Sequence, residues 1–266
     1  MVMQLIDIGA NLTHDAFDAD RDAVLERALA HGVSQMVVTG ASREGSDAAL
    51  ALARQHPGVL YATAGVHPHH AADYDETTDL RLRELASEPE VRAVGETGLD
   101  YFRNFSPREA QIAAFERQLQ IAIDCGKPLF LHQRDAHEDF LACLDAVRDQ
   151  LGPVVVHCFT ADRSELEHYL ERDFHIGITG WICDERRGHH LRDIVGLIPA
   201  NRLMIETDAP YLLPRDLPQK VSHRRNEPMY LPHICAAVAA ARGESVAATA
   251  AATSATARRF FLANQR

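Results

Sequence analysis

Cysteine is sparse in this chain and a single tryptophan is present: 266 residues carry five cysteines and one tryptophan. The cysteines, Cys125, Cys143, Cys158, Cys183 and Cys235, are odd in number and scattered, and none forms a CxxC pair. That pattern fits a reduced, cytoplasmic protein better than a disulfide-stapled one. There is no excess of positive charge. Lys and Arg total 27 against 38 Asp and Glu, a net charge of −11, so a nucleic-acid coat protein with a basic face is excluded. An enzyme that grips a few phosphates through local arginines is not. There is no long apolar run: Ile234 to Ala241 is far too short to cross a bilayer and meets Arg242-Gly-Glu244. Met1 to Asp7 lacks a basic n-region and an apolar h-region, so no signal peptide is expected. A soluble protein without a membrane partner is the expectation. No Gly-rich phosphate loop follows the first strand, which argues against an open dinucleotide-binding sheet.

What is present is alternation. Strands are predicted at Gln4–Gly9, Val33–Thr39, Val59–Val66, Val91–Glu96, Pro128–His132, Pro153–His157, Phe174–Thr179 and Leu203–Glu206. Helical spacing fills the gaps: Asp15–His31, Arg43–Gln55, Glu76–Ser87, Pro107–Asp124, Asp135–Gln150, Arg163–Arg172 and Asp184–Leu197. Two helices follow, Tyr230–Ala241 and Glu244–Leu262, the second with an Ala/Thr-rich stretch suited to tight packing. Ser106 and Pro107 read as an N-cap with proline at the first helical position. Strict β-α alternation implies a parallel sheet, and eight repeats imply one (β/α)8 barrel domain over residues 1–266.

Four apolar runs stop on a reactive side chain: Glu96, His132, His157 and, just past Leu203-Met-Ile205, Asp208. In a barrel, the carboxyl ends of the strands share one mouth, where reactive residues sit. Two His, one Glu and one Asp placed there form a metal-site composition. Each has a plainer reading alone: a salt-bridged core carboxylate, a satisfied histidine, an Asp that caps a loop. Asp208 suits a metal ligand or a proton acceptor, and capping the loop at Asp-Ala-Pro excludes neither role. Loops on the same face offer phosphate partners: His67 and His69, Arg134 with Asp135, Arg186 with Arg187, and Arg224-Arg225-Asn226. Trp181 is either a stacking platform for a base or a packing residue.

At these residues the sequence resembles the TatD family of metal-dependent deoxyribonucleases, within the amidohydrolase-like barrels. The matching segments run the length of the chain: Gly65-Val-His-Pro68, Gly95-Glu-Thr-Gly-Leu-Asp100, His132-Gln-Arg-Asp135, His157-Cys-Phe-Thr160 and Glu206-Thr-Asp-Ala-Pro210. Asp7-Ile-Gly-Ala-Asn-Leu-Thr13, Gly180-Trp-Ile-Cys-Asp-Glu-Arg-Arg187 and Arg224-Arg-Asn-Glu-Pro228 resemble one enterobacterial branch of it. The resemblance implies a 3′→5′ exonuclease acting on single-stranded DNA and RNA, magnesium-dependent, cytoplasmic and monomeric, with a role in DNA repair. Many relatives carry His-x-His after strand one, where this chain has Gly9 and Asn11. One tightly held ion is therefore expected, on Glu96, His132, His157 and Asp208, with Asn11 at most a weak amide contact. The same ligands accept zinc or manganese. An ester or amide hydrolase on the same barrel is the competing reading, since fold alone does not fix the reaction.

Overall fold

The structure is a computed structural model, and it describes residues 4–219, 221–222 and 224–263. Its strands are β1 Leu5–Ala10, β2 Val33–Val38, β3 Leu60–Ala64, β4 Val91–Asp100, β5 Leu129–Arg134, β6 Val154–Val156, β7 His175–Ile178 and β8 Leu203–Ile205. Between and after them lie α1 Arg21–Ala30, α2 Arg43–Gln55, α3 Glu76–Ser87, α4 Arg108–Cys125, α5 His137–Ala146, α6 Arg163–Glu171, α7 His189–Ile194, α8 Leu231–Arg242 and α9 Val246–Ala257. The strands form one eight-stranded sheet in the order β1 to β8, and the fold is a (β/α)8 barrel. Every residue of β1, β6 and β8 is buried. That is why these strands read as unbroken apolar runs rather than as an alternation. Among the described residues no single helix is long and apolar enough to cross a membrane.

By its contacts the chain divides into two compact units. One holds the chain up to Val37 and Cys158–Arg259; the other holds Val38–His157 and the segment starting at Phe260. In the second unit β3, β4, β5 and β6 pair in parallel. Its helices start on side-chain caps at Ser42, which accepts from Gly45 N, and Asp75, which accepts from Thr78 N. Helix α4 ends on Gly126 at φ 63°, a left-handed turn that glycine adopts without strain. In the first unit β7 pairs with β8, Asp162 and Ser245 cap α6 and α9, and Gly243 ends α8.

Several boundaries differ from the sequence expectation. β4 runs four residues past Glu96, to Asp100, and β5 runs past His132 to Arg134. Both residues therefore lie inside strands, not at their ends. Ser106 does not cap α4. Its hydroxyl donates to His69 O and accepts from Ala72 N, and Pro107 occupies the cap position. The helix expected over Asp184–Leu197 shrinks to α7. Asp184 accepts from the backbone N–H groups of Arg186 and Arg187 and holds that stretch as a turn. The helix expected from Asp15 begins only at Arg21, after a 3-10 turn at Asp15–Phe17.

Candidate metal centre

The site is built on β4. Its register against β5 shifts between Val94 and Thr97 and then continues, pairing Gly98 with His132 and Asp100 with Arg134. Side chains two apart on a strand share a face, so Glu96, Gly98 and Asp100 point the same way. The glycine between the two carboxylates is required there: its φ is +142°, and a Cβ would lie 1.9 Å from His132 O.

Three imidazoles converge on one oxygen of Glu96. His157 Nε2 lies 2.8 Å from Oε1, His132 Nδ1 3.2 Å and His67 Nε2 3.3 Å. The donor atoms of His67, Glu96 and His132 all lie within 4.8 Å of one another. Asp100 stands behind them, with Oδ2 3.1 Å from His132 Nε2 and 3.1 Å from His69 Nε2. The sequence reading assigned Asp100 no role, although its place four residues beyond Glu96 on an extended strand was the signal. A carboxylate on the far nitrogen of a histidine fixes the ring and leaves the near nitrogen's lone pair toward the site. Two buried glutamines of α4, also missed, hold the frame. Gln111 Oε1 accepts from Asp100 N, and its amide donates to Asp100 O. Gln118 does the same for Val66, directly before His67.

The electrostatics follow from this packing. Burial alone would raise the pKa of Glu96, but His157, His67 and His132 together outweigh it and hold the carboxyl well below its ordinary value. Burial pulls His67 down to about 4, so this ring is neutral near pH 7. Its Nδ1 accepts from His69 N at 3.1 Å, so the neutral ring carries its proton on Nε2 and presents an N–H to the site. Burial opposes the charged form of His132, yet hydrogen bonds with Asp100 and Glu96 raise it overall. Asp100 is lowered because its bonds with His132, His69 and Arg103 N exceed the burial penalty. A carboxylate ringed by imidazoles, with a second carboxylate orienting one of them, suits a divalent cation. Glu96, His132 and His67 bring their donor atoms together, and His157 Nε2 lies beside Glu96, so these are the residues that could hold it.

In the other unit Asp208 follows β8 at φ 53°. Its N donates to Gly9 O at 2.8 Å, and its Oδ1 accepts from Asn11 Nδ2 at 3.0 Å. Asn11 is thus an amide donor that orients a carboxylate. Two of the expected substrate residues make their hydrogen bonds within the chain. Asn226 is fully buried, its amide donating to Thr207 O and accepting from Glu227 N. Arg225 gives its NH1 and NH2 groups to Ala16 O, Asp20 and Glu227. Those bonds come first among the causes that lower the Asp20 carboxyl to about 2. Both residues order the segment after β8. Arg224 is exposed, His69 packs against Phe105 with ring centroids 4.7 Å apart, and the Arg134 guanidinium lies 4.2 Å from the Phe102 ring centre.

A (β/α)8 barrel with this donor set falls among the metal-dependent hydrolases. The TatD related DNase family matches residues 6–262, and the chain belongs to that family. Similar proteins include the 3'-5' ssDNA/RNA exonuclease TatD of Enterobacter lignolyticus, 56% identical over 240 residues, 90% of this chain and 92% of that one. The protein of the same name from Cronobacter turicensis is 54% identical over 260 residues, 98% of each chain. Among solved structures, a TatD family hydrolase from Entamoeba histolytica has a TM-score of 0.89 at 26% identity, over 98% of this chain and 99% of that one. YJJV, a TatD homolog from Escherichia coli K12, has a TM-score of 0.89 at 27% identity, over 99% and 100%.

Proposed function

We propose that the protein is a metal-dependent 3′→5′ exonuclease that hydrolyses phosphodiester bonds of single-stranded DNA and RNA. The observation that carries the reading is the Glu96 cluster, found in a chain half-identical to relatives that bear that activity in their names. A bound divalent ion would supply positive charge for a phosphoryl oxygen and lower the pKa of a water. The remaining work falls to the side chains. Glu96 stays ionised, because its imidazole neighbours hold its pKa low. Asp100 keeps His132 in one tautomer and orientation. The Nε2–H of His67 donates to a non-bridging phosphoryl oxygen as charge grows there. Asp208, aligned by Asn11, accepts the proton of the attacking water. His69 and Arg134 are the proposed contacts to the terminal nucleotide.

Magnesium is the proposed ion, with zinc and manganese compatible with the imidazole share of the ligands. The same reading makes the protein a single-domain, cytoplasmic monomer with a part in DNA repair. The test uses single-stranded oligonucleotides labelled at either end, in magnesium and in EDTA. Stepwise loss from the 3′ end in magnesium alone is expected. An undegraded oligonucleotide in magnesium, with turnover of aminoacyl or lactone esters, would replace this reading by ester hydrolysis.

A further inference from the structure

Loops after β7 and β8 line an open cavity of about 630 Å³ within one unit, bordered in part by Trp181, Arg186, Arg187, Leu212, Arg215 and Arg224. Four arginines around one cavity reverse the local sign of a chain whose net charge is −11. Asp184 faces the same space, but it is already engaged. Its Oδ2 accepts from Arg187 Nε and NH2 at 2.9 and 2.7 Å, and its Oδ1 accepts from two backbone N–H groups. That clamp lays the Arg187 guanidinium 4.3 Å from the centre of the Trp181 ring. The result is a fixed aromatic-guanidinium stack, a surface on which nucleobases pack irrespective of identity. Arg186 lies 3.9–4.0 Å from the carboxylate oxygens of Asp184 and Glu185, and Arg215 donates to both oxygens of the exposed Glu185 at 3.1–3.4 Å and lies 3.8 Å from Asp184 Oδ1. Exposed pairs of this kind contribute little and yield readily to a phosphate. Leu212 adds apolar wall, and the volume is that of a small-ligand site. In barrels generally, phosphate sites recur in the loops after strands seven and eight.

From this chemistry we propose that the cavity is a subsite for single-stranded nucleic acid. It holds a nucleotide other than the one being hydrolysed, its base on the Trp181–Arg187 stack and its phosphates on Arg186, Arg215 and Arg224. The inference rests on the nuclease reading for its substrate and adds a strand-holding function to it. A strand-holding subsite acts on affinity and on length dependence, not on the chemical step.

Trp181 is the only tryptophan, so emission excited beyond the absorption of tyrosine reports this cavity alone. The experiment titrates the protein in EDTA, where no cleavage occurs, with oligothymidylates of increasing length and with inorganic phosphate. Decamers are expected to quench the emission, and inorganic phosphate or dinucleotides at equal concentration are not. Arg186→Ala combined with Arg215→Ala should weaken decamer binding about tenfold or more. The salt dependence should lose about 0.7 from its logarithmic slope for each phosphate contact removed. In magnesium, the same variant should raise KM for decamers and leave dinucleotide turnover unchanged. Unquenched emission with every oligonucleotide would overturn the subsite, as would an equal fall in dinucleotide and decamer turnover. Quenching by decamers in a protein that degrades none of them supports the subsite and defeats the nuclease reading instead.

Discussion

Replacing Glu96 by Gln tests whether the imidazole cluster is a cation site. The side chain is buried and keeps its volume in the substitution, so no cavity forms. What changes is charge. Oε1 now faces three imidazole nitrogens at 2.8, 3.2 and 3.3 Å, and a neutral amide offers them one acceptor and one unwanted donor. Without metal, the lost charge-assisted hydrogen bonds cost roughly 1.5–3 kcal/mol each in gross terms. Relief of a buried charge returns much of that, so the metal-free variant should melt within a few degrees of wild type. With metal the two proteins should part. An ion present at about one hundred times its Kd stabilises the native state by about 2.7 kcal/mol. At roughly 2–4 °C per kcal/mol for a chain of this size, the wild-type Tm should rise by about 5–10 °C. Glu96→Gln removes the carboxylate at the centre of the cluster, and the rise should vanish. Paired thermal melts in EDTA and in magnesium or manganese measure this. Oligonucleotide turnover should fall by about 10²-fold or more, the scale for removing one preorganised electrostatic group. A variant that keeps both its metal-dependent rise in Tm and its turnover would refute the assignment of Glu96 as a ligand.

Gly98→Ala should destabilise by about 3–5 kcal/mol, read from denaturant midpoints, because its Cβ would overlap His132 O at an unfavourable φ; a loss below about 1 kcal/mol would refute the close-approach argument. Arg225→Ala should lower stability by about 1–2 kcal/mol, since it strips Asp20 and the buried Glu227 of a shared partner; unchanged stability with a 10²-fold loss of turnover would return Arg225 to the substrate. Burial raises Asp7 from 3.8 to about 8, so the native state keeps a proton that the unfolded chain has released, and this group's contribution is full below about pH 4 and lost as pH rises toward 8. Asp7→Asn should therefore flatten the fall in stability between pH 5 and 8 measured by urea denaturation, and a variant with a steeper fall than wild type would contradict the burial argument. Metal analysis in manganese should give about one tight equivalent per chain, as the donor set of one cage implies; two equivalents, one of them abolished by Asn11→Ala, would make Asn11 a ligand.

The barrel was legible because its strands are buried on both faces and its helices follow the 3.6-residue period. Those two signals are local, and the ends of α2 and α3 were read to the residue from them. The boundaries that failed did so where a polar side chain competes with the helix. Asp184 captures the backbone N–H groups of Arg186 and Arg187, and Ser106 binds the turn before Ala72 in place of the helix it precedes. Both residue types favour a cap and a turn alike, so sequence pattern alone does not choose between them.

The site shows the same division. Glu96, His132 and His157 stood out because a reactive side chain after an apolar run has no packing reason to be there. Asp100 did not, because the reading ended β4 at Glu96 and left four residues as loop. Once the strand is known to continue, alternation puts Asp100 on the face of Glu96, with a glycine between them where His132 O approaches. The arginines were harder to read for a different reason. A guanidinium in a loop reads alike whether it awaits a phosphate or binds Asp20 and Glu227, and residues two hundred positions apart decide which. Arg225 and Arg186 are therefore separable only by their partners. One is clamped by carboxylates at 2.7 and 2.8 Å; the other sits 3.9–4.0 Å from its nearest carboxylate oxygens. A phosphate gains little from the first and has room at the second.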